Sequence, residues 1–345
     1  MKLKLLLFFS AATLVLADHG PLTTAAGATL IEPDTLKPRQ IALSTTVVVN
    51  NYENLSDAHL RELATRTSAG GAHVDAIRQS VMGLAGAGYG ITEYLEAGAR
   101  VRYYRGENIR EGLIDSGGTY RAINLGTVAG MADPDAYVKW RILKSSWQTL
   151  AIAGFAKMPL GKYYSADAAK PLSAYTAQLT PSYHLVGGGN TSDPLSEKYN
   201  IEPSLTPGSG AWDFSGAVAW SLWLGEGISV TTSLMYTRRL AQNNYKLGDS
   251  LEGGASLQKR WGSRDEANVS LFAELTFRNW AQAESFSQKI SNTGGTMVFM
   301  SPGVTFAWPS GVAVTIFHQM PVARYLNGDQ QLLSSRSGIS LGFVF

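Results

Sequence analysis

The feature that most constrains this chain is a two-residue alternation that recurs in segments of about ten residues, from Gln40 to the carboxyl end. In the segment 95–106, Leu95, Ala97, Ala99, Val101 and Tyr103 fall on one face, and Glu96, Gly98, Arg100, Arg102 and Tyr104 on the other. In 267–279, Val269, Leu271, Ala273, Leu275 and Phe277 oppose Asn268, Ser270, Phe272, Glu274, Thr276 and Arg278. In 134–143, Ala136, Val138, Trp140 and Ile142 oppose Asp135, Tyr137, Lys139 and Arg141. A period of two is that of an extended strand, so each segment presents one apolar and one charged face to two different surroundings.

Twelve segments are laid out: 40–50, 77–89, 95–106, 134–143, 148–158, 212–223, 228–239, 247–261, 267–279, 295–307, 312–322 and 336–345. The second, fifth and tenth alternate poorly and are placed mainly by spacing. The links between segments sort by length. Every second link is a turn: 90–94, 144–147, 224–227, 262–266 and 308–311. The others, 51–76, 107–133, 159–211, 280–294 and 323–335, are clearly longer, and 240–246 is marginal. A soluble sandwich has no reason to sort its connections this way. A barrel crossing a bilayer with tilted strands does, with short turns inside and long loops outside. The expected fold is therefore all-β: one outer-membrane β-barrel domain over 40–345, of about twelve antiparallel strands, ten and fourteen being the neighbouring counts.

The start of the chain agrees. Met1 to Ala17 has Lys2 and Lys4, an apolar run too short to span a bilayer, and Val15 and Ala17 at cleavage-site positions. It reads as a secretory signal peptide. Residues 18–39 read as a periplasmic lead-in. The leader holds two of the 29 Lys+Arg and none of the 27 Asp+Glu, so the remainder of the chain is formally neutral. A nucleic-acid binder would carry a basic excess. The 36 glycines, 15 tyrosines and 8 tryptophans beside only 16% charged residues suit a membrane barrel. There is no cysteine, hence no disulfide.

The final residues alternate Ile339, Leu341, Phe343 and Phe345 with smaller ones. This resembles the closing strand of bacterial outer-membrane barrels, and the resemblance implies that the terminal aromatic strand is read by the barrel insertion machinery. Outer-membrane lipid is the second partner. Within the first long link, Ser56-Asp57-Ala58-His59-Leu60-Arg61-Glu62-Leu63 opens with a helix cap and sets Leu60, Leu63 and Ala64 on one face, so a short helix is expected. The link Pro159–Ala211 carries five tyrosines and Gly187-Gly188-Gly189. Three arrangements are open for it: folded into the lumen, standing outside as a lid, or disordered.

Several stretches together resemble one known group: Asn54-Leu55-Ser56-Asp57-Ala58-His59-Leu60, Asn108-Ile109-Arg110-Glu111-Gly112, Pro207-Gly208-Ser209-Gly210-Ala211-Trp212-Asp213, Ser301-Pro302-Gly303, and Pro321 with Tyr325-Leu326-Asn327-Gly328-Asp329-Gln330. The pattern is similar to the Gram-negative MetA-pathway of phenol degradation family and covers most of the chain. The tail after Gln330 departs from it, with fewer prolines and charges. The resemblance implies an outer-membrane transporter for small aromatic or hydrophobic compounds. It transfers no functional residue, because the shared motifs are mostly turns.

An enzyme needs a Ser–His pair with an orienting group. Of His19, His59, His73, His184 and His318, only His318 falls in a strand, and there is no Gly-x-Ser-x-Gly. No His/Asp/Glu group has metal-ligand spacing. No catalytic, cofactor or metal residue is assigned. The candidate lumen-lining residues are Glu96, Arg100, Arg102, Lys139, Arg141, Asp213, Glu252, Arg260, Glu274 and Arg278. They either line a solute path or pair into bridges that plug a narrow interior. Asn243, Asn244, Tyr245, Trp280, Phe286 and Tyr325 are expected in an interfacial girdle. The expected function is a channel for a small organic solute. The alternatives are a non-conducting structural or surface-binding barrel, and an esterase or phospholipase.

Overall fold

The structure is a computed structural model and describes residues 29–67, 74–114, 120–161, 205–242, 245–262, 266–285, 287–290, 293–328 and 330–345. The leader, most of the 159–211 link, Asn243, Asn244 and Phe286 lie outside them.

Twelve strands form the wall: β1 (Ile41–Tyr52), β2 (Gln79–Gly90), β3 (Leu95–Ile114), β4 (Asp135–Lys144), β5 (Gln148–Lys157), β6 (Asp213–Gly225), β7 (Ile228–Arg239), β8 (Ser250–Trp261), β9 (Asn268–Trp280), β10 (Gly295–Ala307), β11 (Val312–Leu326) and β12 (Leu333–Val344). Each pairs antiparallel with its sequence neighbours. Closure comes from β1 against β12, in register from Ala42 opposite Val344 to Asn51 opposite Ser335. Every inner edge thus finds a partner, which hydrocarbon demands. Phe345 completes the seam: its N–H donates to the Ile41 carbonyl, and its carbonyl accepts from the Ile41 N–H.

The outward faces match the sequence alternation. Leu43, Val101, Val138, Trp140, Leu234, Leu257, Leu271, Leu275, Ile316 and Ile339 are exposed. Aromatic side chains collect at the two rims, with Tyr94, Trp147, Trp261 and Trp308 at the turn end, and Trp212, Phe214, Tyr236 and Tyr325 at the loop end. This is the apolar band and double girdle of a lipid-embedded barrel. Trp280 departs from the expectation. It turns to Arg278, whose guanidinium carbon lies 5.4 Å from its ring centroid. The turn after β6 needs its glycines, since Gly225, Glu226 and Gly227 all have positive φ.

One link is not a loop. Within 107–133, β3 continues to Ile114, and a further strand, Tyr120–Met131, pairs back on it. Twenty residues of strand reach roughly 66 Å, about twice the hydrocarbon thickness, so this hairpin stands well outside. The Tyr120–Met131 strand and β4 share one edge of β3 and are separated by Ala132-Asp133-Pro134, where proline lacks a donor for the ladder. The first loop folds as expected: a helix, Asp57–Thr67, starts with Ser56 Oγ accepting the His59 N–H at 3.2 Å. Leu60 is fully buried against Leu55 and Ala76.

Candidate functional site

Antiparallel register stacks the inward side chains into rungs around the lumen. One rung runs Glu274, Ser301, then Gln319, Arg336, Asn50 and Ser80. It is hydrogen-bonded along its length: Gln319 Nε2 donates to Ser301 Oγ at 3.0 Å, Arg336 Nε to Asn50 Oδ1 at 2.8 Å, and Asn50 Nδ2 to Ser80 Oγ at 3.0 Å. The next rung toward the turn end is apolar: Phe272, Phe317, Val48, Met82 and Tyr104, all buried. Gly303 and Gly338 separate the aromatic members, and a Cβ at either would collide with the neighbouring ring. The glycines let the rings lie flat against the wall. This apolar cluster climbs the β1–β3 side to Ile77, Ile109, Val128 and Leu205 at the loop end.

Toward the turn end the lumen is filled from below. The segment from Thr29, expected as a periplasmic lead-in, enters the barrel. Leu30, Ile31, Glu32 and Leu36 are buried there. The Leu36 N–H donates to Glu96 at 3.0 Å, the Ile31 N–H to Ser233 Oγ at 3.3 Å, and Thr29 Oγ1 to Glu274 at 2.7 Å. Asp34 pairs with Arg141 at 2.7 Å and Lys144 at 2.8 Å. The segment crosses from the β3–β4 wall to the β9 wall. Burial works to raise the Asp34 carboxyl, but the hydrogen bonds and charges of Lys144 and Arg141 prevail and hold it below its ordinary value.

Each residue singled out in the sequence has a definite place. Glu96 is fully buried, accepting from Tyr137 Oη at 2.8 Å and pairing with Lys139 at 3.2 Å. Arg100 and Arg102 share Asp135, and Arg141 holds Asp34. Asp213 lies 2.9 Å from Lys157 and 3.8 Å from Arg239. Glu252 pairs with Arg278 at 3.3 Å. Glu274 holds Thr29. Arg260 sits at the turn-end mouth over the Trp223 ring, 5.4 Å from its centroid. Sequence reasoning misses Asp133, Lys157, Arg239, Gln319 and Arg336. Arg239 and Lys157 end strands and read as rim charges, and Asp133 falls in a link that reads as a loop. That aspartate is 1% exposed and receives the Gly161 N–H at 2.9 Å, the Ser209 N–H at 2.8 Å and Lys157 at 3.1 Å. It therefore grips both described roots of the long link.

His318 points outward. Its Nδ1 is 2.8 Å from Ser337 Oγ, both exposed on the lipid-facing side between Ile316 and Ile339. The pair satisfies a polar ring within the apolar belt.

A closed antiparallel wall of twelve strands, apolar outside and charged within, defines an outer-membrane β-barrel. No family model and no curated protein matches the sequence. Among solved structures, the chain is similar to the COG4313 outer membrane channel from Pseudomonas putida F1, at 12% identity, over 91% of this chain and 98% of that one, with a TM-score of 0.56. It is also similar to LpxR from Salmonella typhimurium (12% identity, 89% and 100% covered, TM-score 0.43) and to a Pseudomonas aeruginosa FadL homologue (11%, 98% and 98%, 0.42). At such identities the likeness is one of fold.

Proposed function

We propose that this protein is an outer-membrane channel for a small apolar or amphipathic solute, closed at rest by the segment 29–37 inside its lumen. The carrying observation is the buried apolar cluster in the lumen, from Ile109 and Leu205 at the loop end down to Phe317 and Phe272 on the opposite strands. A water-filled pore has no use for such a lining, whereas an apolar solute is desolvated by it. The motifs that resemble those of the MetA-pathway of phenol degradation family support an aromatic solute. Residues 29–37 are held by hydrogen bonds, ion pairs and the packing of Ile31 and Leu36 rather than by strand pairing, which makes the obstruction removable. The His318–Ser337 pair faces acyl chains and not a water-fed pocket, which speaks for transport over hydrolysis.

One observation favours a non-conducting barrel: among the described residues, Lys139, Arg100, Arg102, Arg141 and Arg278 all meet carboxylates. The deciding measurement compares naphthalene accumulation by cells producing the intact protein, a variant lacking residues 29–37, or neither. Faster accumulation with the intact protein, and faster still with the variant, is expected. Equal rates in all three would establish a structural barrel.

A further inference from the structure

The cavity where the segment 29–37 meets the wall has a composition of its own. It holds about 50 Å³ between Thr29, Leu30 and Ile31 on one side and β7 to β12 on the other. Two guanidinium groups, Arg278 and Arg336, line it beside the Glu252 carboxylate, and a second carboxylate, Glu274, adjoins it through Thr29. Arg336 is 4% exposed. Gln319, 3% exposed, uses its amide nitrogen on Ser301 and Thr276, and its buried Oε1 has no hydrogen-bond partner. Phe299 and Met235 form apolar wall next to these groups.

From this arrangement we infer that the cavity is the headgroup subsite of the channel, and that it takes the carboxylate of an apolar monocarboxylic acid, an aromatic acid above all. The inference rests on the channel reading given above and adds the solute's charge. Guanidinium groups recognise a carboxylate through paired N–H donors, and burial strengthens that recognition. A carboxylate here is a second acceptor for Arg278, whose Nε lies 3.3 Å from Glu252 Oε1 without hydrogen-bond geometry. The space suffices for the headgroup but not for a ring. The body of the solute therefore displaces Leu30 and Ile31 and lies along the aromatic rung below, so binding and withdrawal of the lumenal segment are coupled.

The test is calorimetric titration of the full-length barrel in detergent with benzoate and benzyl alcohol. Benzoate is expected to bind, and benzyl alcohol at least tenfold more weakly. Arg336→Gln and Arg278→Gln each weaken benzoate at least tenfold. Glu252→Gln removes the competing carboxylate and tightens benzoate several-fold, a gain that misfolding cannot mimic. Deleting residues 29–37 tightens it as well. Equal affinity for benzoate and benzyl alcohol, or weaker benzoate binding by Glu252→Gln, would overturn the inference. The two proposals fail separately. Naphthalene uptake without benzoate binding removes the subsite and leaves the channel. Benzoate binding without uptake of either compound removes the channel and leaves the site.

Discussion

Replacing Asp34 by asparagine isolates the ion-pair share of the energy that keeps the lumenal segment in place. Asp34 Oδ1 lies 2.7 Å from Arg141, whose side chain is 10% exposed, and Oδ2 lies 2.8 Å from Lys144, which is 46% exposed. The Arg141 contact is a charge-assisted hydrogen bond in a half-dry setting, worth about 1.5 kcal/mol. Solvent screening leaves the Lys144 contact about 0.5 kcal/mol. Their loss, about 2 kcal/mol together, lowers the ratio of closed to open segment roughly 30-fold. The backbone contacts of Leu36 and Ile31 and the Thr29–Glu274 bond survive, so the variant is loosened and not emptied. Single-channel recording in planar bilayers reads this directly. Asp34→Asn should open many times more often than the parent, and removal of residues 29–37 should hold the pore open. If the deletion opens the pore but Asp34→Asn does not, the ion pairs carry no closing energy. Should neither change the current, the segment is not the obstruction.

The same pairs set a pH dependence. Because the Asp34 carboxyl is depressed, the tether is complete above the ordinary carboxylate value of about 4 and is lost as pH falls through the depressed one. Channel opening should be flat from neutrality to pH 5, rise below about pH 4, and show less of that rise in Asp34→Asn. Glu96→Ala strands Lys139 and Tyr137 in a buried site and should cost about 3–5 kcal/mol, seen as a lower temperature for the folded-to-unfolded shift on gels. Gly338→Val forces the Phe317 ring off the wall, costs about 1–3 kcal/mol in the same assay, and loses nothing if the ring has room to turn. Deleting Phe345 removes two hydrogen bonds from the closing seam and the terminal aromatic group. The insertion reading expects a large loss of protein from the outer membrane in cells with near-normal refolding into vesicles. Equal losses in both settings would make the residue a matter of stability alone.

The wall was legible from the sequence because the solvent on each side writes its own period into a strand. Lipid selected Leu271, Leu275 and Ile339 on the outer face. The interior selected Arg100, Lys139 and Glu274 on the other, and turn lengths told inside from outside. Each of the twelve expected segments coincides with a strand, nine read from that alternation and three placed by spacing, although β3 runs eight residues past its expected end, and the Ser56 cap located its helix. The hairpin strand Tyr120–Met131 was not legible. Standing outside the membrane, it lacks the two-solvent contrast that makes a strand visible. The interior was the larger surprise. Inward facing followed from local alternation. Which side chain meets which depends on register, as with Arg278 opposite Glu252, and on strands far apart in sequence, as with Arg336 on Asn50. Nothing in residues 29–37 themselves announces that they lie inside, since a mixed polar and apolar segment around Pro33 suits the periplasm equally well. Only the closed wall, with Glu96, Arg141, Ser233 and Glu274 offering partners from four strands, decided where that segment rests.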